Sequence, residues 1–156
     1  MSSWSEIEAE TPELAALARP LFDAHGHKTL ATLRRDGSPR ISGTELVVAE
    51  GDFWLGSMWQ ARKALDLQRD PRYALHSGSD EPAAWRGDAK IAGTAEEITD
   101  PARIKAIIGK SAPPGPAHLF RLEITELVVV RIGEPADHIV VDSWREGRGV
   151  TRTRRS

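Results

Sequence analysis

The sequence of 156 residues contains no cysteine and no asparagine. Without cysteine the chain can form no disulfide bond, no thiolate metal site and no cysteine nucleophile. No apolar run approaches the roughly 20 residues of a membrane-spanning helix, and the N-terminus lacks the basic and apolar segments of a signal peptide. These absences lead us to expect a soluble cytoplasmic protein with no membrane partner.

Common nucleotide-binding and hydrolase motifs are missing as well. Gly109-Lys110-Ser111 is similar to the end of a phosphate-binding P-loop, but that motif needs a glycine where Ile104 stands. No Gly-x-Gly-x-x-Gly follows a strand, so a Rossmann nucleotide site is not expected. The absence of Gly-x-Ser-x-Gly removes the commonest nucleophile turn of hydrolases.

The composition is that of one globular domain over residues 1–156. Hydrophobic residues make up 40% and charged residues 28% of the chain, and a chain of this length buries about two-thirds of its unfolded surface. The net charge of -2 argues against a nucleic-acid partner, because such proteins usually carry a basic excess. We expect flexible ends at 1–10 and 146–156. The second end is rich in arginine, and an anion-binding arm is the alternative there.

Residues 28–72 predict three strands and a short helix with little sequence between them. Asp36-Gly37 is a pair that tolerates positive φ in a hairpin turn. Pro71 ends the helix because proline cannot continue it. The expected strands are Lys28–Arg35, Ser38–Ala49 and Phe53–Ser57, and the expected helix is Gln60–Arg69.

The rest of the chain predicts further strands flanked by short helices. Thr11 can cap a helix that continues from Pro12, and Pro20 predicts a kink or two short helices. The other expected elements are strands at 72–77, 89–98, 119–132 and 139–144, a bend or bulge at Gly93, a helix from Thr99 to Gly109 and a stiff connector at 111–116. Seven antiparallel strands with few crossover helices favour a mainly β fold, a closed or split β-barrel.

The best candidate for ligand binding is Arg62-Lys63 at the start of the predicted helix. Unpaired backbone N–H groups and the helix dipole favour an anion there, and the two side chains add charge-assisted hydrogen bonds. Cations at this end are mildly unfavourable for the helix itself, so their presence argues for a role. The alternative is a solvated basic helix turn.

Residues on the preceding and facing strands are expected around the same mouth. A planar ring can lie against Ser42 and Thr44, because Gly43 between them permits close approach. The other residues expected to line the mouth are Ser57, Met58, Trp59, Gln60 and, on the facing strand, Arg40.

The histidines carry a weaker signal. His25 and His27 would point to one face of an extended segment and could bind a metal. No third ligand is evident near them, and two exposed histidines at a helix end are the alternative, so we expect no metal site. His76, His118 and His138 are scattered, and we interpret each as a surface or core-edge histidine.

Three of these segments together resemble a known family. The stretch Leu30–Arg40, the strand that ends in Gly56-Ser57-Met58, and the stretch Arg62–Arg72 are similar to the pyridoxamine 5′-phosphate oxidase-like split-barrel proteins. The similarity covers residues 14 to about 132, and its most specific part is 63–72. Within that group the chain most resembles the small actinobacterial flavin/deazaflavin oxidoreductases.

The resemblance implies a Greek-key split barrel of six to seven antiparallel strands. It also implies a homodimer with FMN or coenzyme F-420 at two sites across the subunit interface. Lys63 matches the family lysine that contacts the cofactor phosphate. The complete set of expected cofactor-binding residues is Lys63, Arg62, Ser57, Met58, Arg40, Ser42, Thr44 and Trp59. Asp66 stands where the family often has asparagine, and it weakens a phosphate site unless it pairs with Lys63.

The predicted function is hydride transfer to or from a small organic substrate by the flavin-type cofactor. The protein then supplies mainly binding and orientation, and we identify no catalytic residue. Vitamin B6 oxidation is not inferred, because the substrate-facing C-terminal residues of the family are not recognisable. The alternatives are a non-catalytic barrel that binds or sequesters flavin or haem, and a haem-degrading enzyme. As open mouth residues, Trp59 and Trp85 suit the non-catalytic barrel as well as they suit a surface for the substrate of an enzyme.

Overall fold

A computed structural model describes residues 2–109, 112 and 114–156. The helices are α1 (Trp4–Glu10), α2 (Pro12–Asp23), α3 (Arg62–Arg69) and α4 (Pro101–Ile108). The strands are β1 (Lys28–Leu33), β2 (Pro39–Thr44), β3 (Val47–Ala49), β4 (Asp52–Met58), β5 (Arg72–His76), β6 (Asp88–Ile98), β7 (Ala117–Ile132), β8 (Ile139–Arg145) and β9 (Gly149–Arg155). The mainly β prediction is therefore confirmed. Lys110, Ser111 and part of the predicted connector lie outside the described residues.

The nine strands form one antiparallel sheet. Its main path runs β2-β1-β5-β6-β7-β4-β3, and β8 joins β7 to β9. β2 also lies near β4, so the two ends of the path approach each other and the sheet curls into a split β-barrel. This closure brings the start of α3, which follows β4, next to β2.

The predicted strand Ser38–Ala49 is wrong as one element. Its first part is β2, which pairs with β1, and its last part is β3, which pairs with β4. The two parts therefore lie at opposite ends of the sheet path, and Glu45 and Leu46 connect them. A continuous β-rich stretch of sequence gives no sign of such a change of partner.

The expected flexible ends form regular structure instead. Trp4 and Ile7 on α1 are buried, and the Trp4 ring stacks on Phe53 with centroids 4.4 Å apart. Ser3 and Glu6 form a capping box, a sequence signal for a helix start. At the other end β9 pairs with β8 along its whole length. Its run of arginines and threonines lacks an apolar face, so the sequence alone did not predict it.

Three smaller predictions concern Gly93, Pro20 and Thr11. The register of β6 against β7 shifts at Gly93, which confirms the bulge. A Cβ at this position would lie 1.9 Å from the carbonyl oxygen of Glu123, so only glycine fits. The helix α2 continues through Pro20 as one element rather than two. Thr11 precedes it without making a side-chain capping bond.

The core lies between the sheet and the first two helices. Its largest fully buried side chains include Trp4, Phe22, Phe53, Phe120 and Trp144. A smaller cluster, with Trp54 and Leu119, packs under Ile107 and Ile108 of α4. Among the described residues, no helix has the length and hydrophobicity needed to cross a membrane.

Candidate functional site

A cleft of about 440 Å³ opens where β2, β4 and the start of α3 meet. We call it the Lys63 cleft. Its lining includes Gly43, Thr44, Ser57, Met58, Lys63 and Ile108, with His27 and Glu45 also contributing. Four of the eight predicted cofactor-binding residues are therefore brought together here: Thr44, Ser57, Met58 and Lys63.

Lys63 is held across this cleft by the backbone of β2. Its Nζ donates to the carbonyl oxygen of Gly43 at 3.0 Å, and the side chain is half-buried. Burial lowers the pKa of the Lys63 ammonium because it removes water from the charged form, while the negative charge of Glu45 opposes part of that shift. A half-buried cation with few protein partners is well suited to bind an anionic group.

The start of α3 adds backbone donors beside Lys63. The residue that precedes the helix is Ala61, which makes no side-chain capping bond. The first N–H groups of a helix have no partner within the helix, and an anion can satisfy them. The sequence prediction of an anion site at this helix start is consistent with that geometry.

Of the two glycines in the lining, Gly43 leaves open space and Gly56 allows Ile108 to pack closely. A Cβ built on Gly43 meets no atom within 4 Å, whereas one on Gly56 would lie 3.0 Å from Cδ1 of Ile108. The hydroxyls of Ser57 and Thr44 donate only to neighbouring backbone carbonyls, Met58 O at 3.1 Å and Glu45 O at 3.3 Å. Both hydroxyls can therefore turn toward a ligand at small cost.

Arg40 and Arg62 lie in a different cleft. This arginine cleft, of about 480 Å³, is lined by Arg34, Arg35, Asp36, Arg40, Arg62, Leu65, Asp66 and Arg69. Arg40 reaches it from β2, and its Nε donates to Oδ2 of Asp66 at 2.7 Å. The predicted basic pair is thus divided, with Lys63 facing one cleft and Arg62 lining the other.

Asp66 does not pair with Lys63. Its buried carboxylate accepts hydrogen bonds from Thr32 at 2.8 Å, Arg40 at 2.7 Å and Arg69 at 3.1 Å. Burial by itself would raise the pKa of Asp66, but the hydrogen bonds from Arg40, Thr32 and Arg69 outweigh it and hold the pKa below its ordinary value. The negative charge of Asp66 is therefore balanced by arginines, away from Lys63.

The remaining two predicted residues lie near the Lys63 cleft without lining it. Ser42 is half-buried on β2, opposite Leu30 of β1 and on the same face as Thr44. Trp59 follows Met58 and faces a second opening of about 430 Å³, which we call the Trp59 cleft. Its lining includes Trp59, Pro101, Ile104, Lys105, Ala112 and Pro116.

His118 has a structural importance that the sequence did not reveal. It is completely buried on β7, opposite Ser57 of β4. Its Nε2 accepts from the backbone N–H of Gln60 at 3.1 Å, and its Nδ1 lies 2.7 Å from Oε1 of Glu97. Since Nε2 accepts, Nδ1 is the donor to Glu97. Only the pairing of β4 with β7 places His118 beneath the loop that leads to Lys63, and pairing cannot be read from a lone histidine.

His25 and His27 do not converge on a common point. His25 Nε2 lies 3.3 Å from Oδ1 of Asp80, and His27 Nε2 lies 4.0 Å from Oε1 of Glu45. Among the described residues, no three histidine or acidic side chains are placed to hold a metal ion. The side chain of His27 is 81% exposed and lines the Lys63 cleft.

Solved structures with the same fold include several of low sequence identity. Campylobacter jejuni ChuZ is 18% identical, with a TM-score of 0.67 over 98% of this chain and 64% of that one. A heme binding protein from Mycobacterium smegmatis is 18% identical, with a TM-score of 0.62 over 93% and 88%. HutZ, the heme storage protein from Vibrio cholerae, is 18% identical, with a TM-score of 0.54 over 74% and 89%. These likenesses establish the fold alone.

No curated protein matches the chain. Residues 14–131, by contrast, match the family described as pyridoxamine 5′-phosphate oxidase. The match includes β1 to β6, α3 and nearly all of β7, and so contains the whole lining of the Lys63 cleft. The chain therefore belongs to the pyridoxamine 5′-phosphate oxidase family.

Proposed function

We propose that the protein is an oxidoreductase that binds a phosphate-bearing flavin-type cofactor, FMN or coenzyme F-420, in the Lys63 cleft. The observation that carries the proposal is the half-buried ammonium of Lys63, held at Gly43 O beside an uncapped helix start. A cation and free backbone donors suit a phosphate. Once bound, the cofactor supplies hydride transfer to or from a small organic substrate.

The other lining residues fit a ring system next to that phosphate. Gly43 leaves its face of β2 open, and the hydroxyls of Ser57 and Thr44 can donate to or accept from polar ring atoms. Met58 is 69% exposed at the rim and can cover an apolar ring. The chain thus supplies orientation and charge.

The direct test is titration of the purified protein with FMN and with F-420, followed by the fluorescence of the cofactor. We expect Lys63→Ala to weaken binding by about 10- to 100-fold, the range for the loss of a charge-assisted hydrogen bond. Lys90→Ala is the matched control, because Lys90 is an exposed lysine on β6 outside the cleft. If Lys63→Ala binds both cofactors as tightly as the parent protein, the proposed site is wrong.

Binding and catalysis are separated by a second measurement. If FMN binds, the protein with bound FMN is mixed with NADPH and reduction of the flavin is followed. If F-420 binds, the protein with reduced F-420 is mixed with a panel of unsaturated and aromatic compounds and oxidation of the cofactor is followed. Turnover in either assay supports the proposal that the protein is an oxidoreductase. Firm binding without reduction or turnover would favour the non-catalytic barrel.

Haem binding is the second candidate. Two of the solved structures with this fold are described as heme binding or heme storage proteins. The exposed His27 at the rim of the Lys63 cleft offers an imidazole as an iron ligand. His118 is excluded from that role because both of its ring nitrogens are engaged. A Soret band that sharpens and shifts when haem is titrated with the parent protein, but not when it is titrated with His27→Ala, would support this candidate.

We also propose a homodimer. Ile41 is a large apolar residue on β2, the strand that lines one side of the Lys63 cleft, and it is 74% exposed. Large apolar side chains at the surface are often covered by a partner. A dimer mass by light scattering at micromolar concentration supports this proposal, and a monomer mass contradicts it.

A further inference from the structure

The Trp59 cleft is lined by residues adjacent to those of the Lys63 cleft. Met58 and Ile108 line the Lys63 cleft, whereas their sequence neighbours Trp59 and Gly109 line the second one. The two openings have nearly the same size, about 440 and 430 Å³. The proposed cofactor site does not use the second opening.

Trp59 forms a rigid wall of this cleft. Its ring stacks on the imidazole of His118 with centroids 4.6 Å apart and planes inclined by 6°. The residue is nevertheless 53% exposed, so its stack with His118 leaves much of the indole open. A large exposed aromatic face costs solvation free energy and is a natural surface for another planar ring.

The support beneath Trp59 is fixed from several sides. His118 is held at Nε2 by the Gln60 N–H and at Nδ1 by Glu97, whose other oxygen accepts from Gln68 of α3 at 2.8 Å. Gln60 has a φ of 61°, a left-handed conformation that is strained for a residue other than glycine. The bond from Gln60 to His118 holds this strained turn in place, and the turn presents Trp59.

The rest of the described lining is mostly apolar, with Thr99 as a neutral polar residue and Lys105 as a cation. Pro101, Ile104, Ala112 and Pro116 provide flat or aliphatic surface, and no aspartate or glutamate contributes to the described lining. Lys105 lines the cleft, and its ammonium has no ion-pair partner among the described residues. A ligand that fits must therefore be mostly apolar, with a negative charge.

The geometry points to a binding site for planar aromatic carboxylates in the Trp59 cleft, with the ring stacked on Trp59 and the carboxylate facing Lys105. Binding of this ligand needs no cofactor. The assignment of such a compound as the substrate of the redox reaction rests on the proposed function.

The test uses 2-naphthoate as the probe and isothermal titration calorimetry of the purified protein. We expect Trp59→Leu to weaken naphthoate binding by about tenfold, because an aromatic stack is replaced by an aliphatic contact. Trp85→Leu is the matched control, because Trp85 lies outside the cleft and donates a hydrogen bond to Asp88. We expect this variant to bind naphthoate as tightly as the parent protein. Both tryptophans are at least partly exposed, so both variants are expected to fold.

One neutral analogue and one non-planar analogue separate the contact with Lys105 from the contact with Trp59. Lys105→Gln is expected to weaken 2-naphthoate about threefold and to leave the neutral 2-naphthalenemethanol unchanged, because an exposed charge pair contributes little. Cyclohexanecarboxylate, which carries the charge without a flat ring, is expected to bind more weakly than naphthoate. Absence of naphthoate binding at millimolar concentration, or equal affinity in Trp59→Leu, would overturn the inference.

The same proteins distinguish this inference from the proposed function. If FMN and F-420 bind and naphthoate does not, the aromatic site is wrong and the cofactor site stands. If naphthoate binds through Trp59 and neither cofactor binds, the aromatic site stands and the proposed function is wrong.

Discussion

The guanidinium Nε of Arg40 on β2 donates to the buried carboxylate of Asp66 on α3 at 2.7 Å. The same carboxylate accepts from Thr32 of β1 and from Arg69 of its own helix. One acidic side chain therefore ties α3 to two strands. This places the start of α3 against β2, where Lys63 reaches Gly43.

Replacement of the carboxylate tests this link. We expect Asp66→Asn to lower the free energy of unfolding at pH 7 by about 2 kcal/mol, because Arg40 and Arg69 lose their charged partner while the shape of the side chain is kept. Urea unfolding measures the change. Glu8→Gln is the control, since Glu8 is an exposed carboxylate on α1. A variant as stable as the parent would show that the buried cluster has no net stabilising effect.

The stabilisation by Asp66 has a defined pH dependence. Its hydrogen bonds hold its pKa in the folded protein below that in the unfolded chain. The contribution of Asp66 to stability is therefore complete above the unfolded pKa of about 4 and is lost as the pH falls through the lower folded pKa. The difference in unfolding free energy between the parent and Asp66→Asn should narrow between pH 7 and pH 3. A constant difference over this range would contradict the assignment.

The sequence predicted most elements of the fold, and four of the eight proposed cofactor-binding residues lie in one cleft, for identifiable physical reasons. The helix α3 follows from its apolar spacing and from Pro71, and the anion-binding role proposed for Lys63 follows from its place at a helix start. The division of Arg62 and Lys63 between two clefts does not follow, because it depends on how α3 is rotated against β2. That rotation is set by Asp66, which contacts residues 26 and 34 positions away in the chain.

The charge of Lys63 gives a test in the alkaline range. Burial lowers its pKa, so Lys63 loses its proton at a less alkaline pH than an ordinary lysine. A phosphate ligand binds the protonated form better, and we therefore expect cofactor affinity to fall as the pH rises from about 7 to about 10. Lys63→Arg is the matched variant, because arginine keeps its charge throughout this range. Fluorescence titrations measure the dissociation constant of the cofactor at each pH. If the affinity of the parent protein and that of Lys63→Arg change with pH in the same way, Lys63 is not the titrating group.

The bulge at Gly93 is predicted to be intolerant of any side chain. A Cβ there would overlap the carbonyl oxygen of Glu123 at 1.9 Å, and backbone atoms of both strands would have to move. We expect Gly93→Ala to destabilise the fold by about 3 kcal/mol or more. Gly26→Ala is the control, since a Cβ on Gly26 meets nothing within 4 Å and its φ is not in the left-handed region. Equal melting temperatures of the two variants would contradict the register of β6 and β7.

The buried His118 is predicted to organise the loop before α3 through hydrogen bonds rather than through its bulk. His118→Phe keeps a flat ring beneath Trp59 but removes the acceptor for the Gln60 N–H and the donor to Glu97. An unpaired buried polar group costs about 1 to 3 kcal/mol, so we expect a loss of stability of about that size. Amide hydrogen exchange at Gln60 should become faster, and cofactor affinity at Lys63 should fall because the start of α3 loosens.

A comparison with the exposed His27 separates this effect from the simple loss of a histidine. His27→Phe removes a side chain that is 81% exposed, so the unfolding free energy and the exchange rate at Gln60 are expected to stay unchanged. If His118→Phe is destabilised while exchange at Gln60 remains slow, altered packing explains the loss of stability. The Gln60 to His118 bond would then not be what holds the strained turn, since its N–H would be protected without an acceptor.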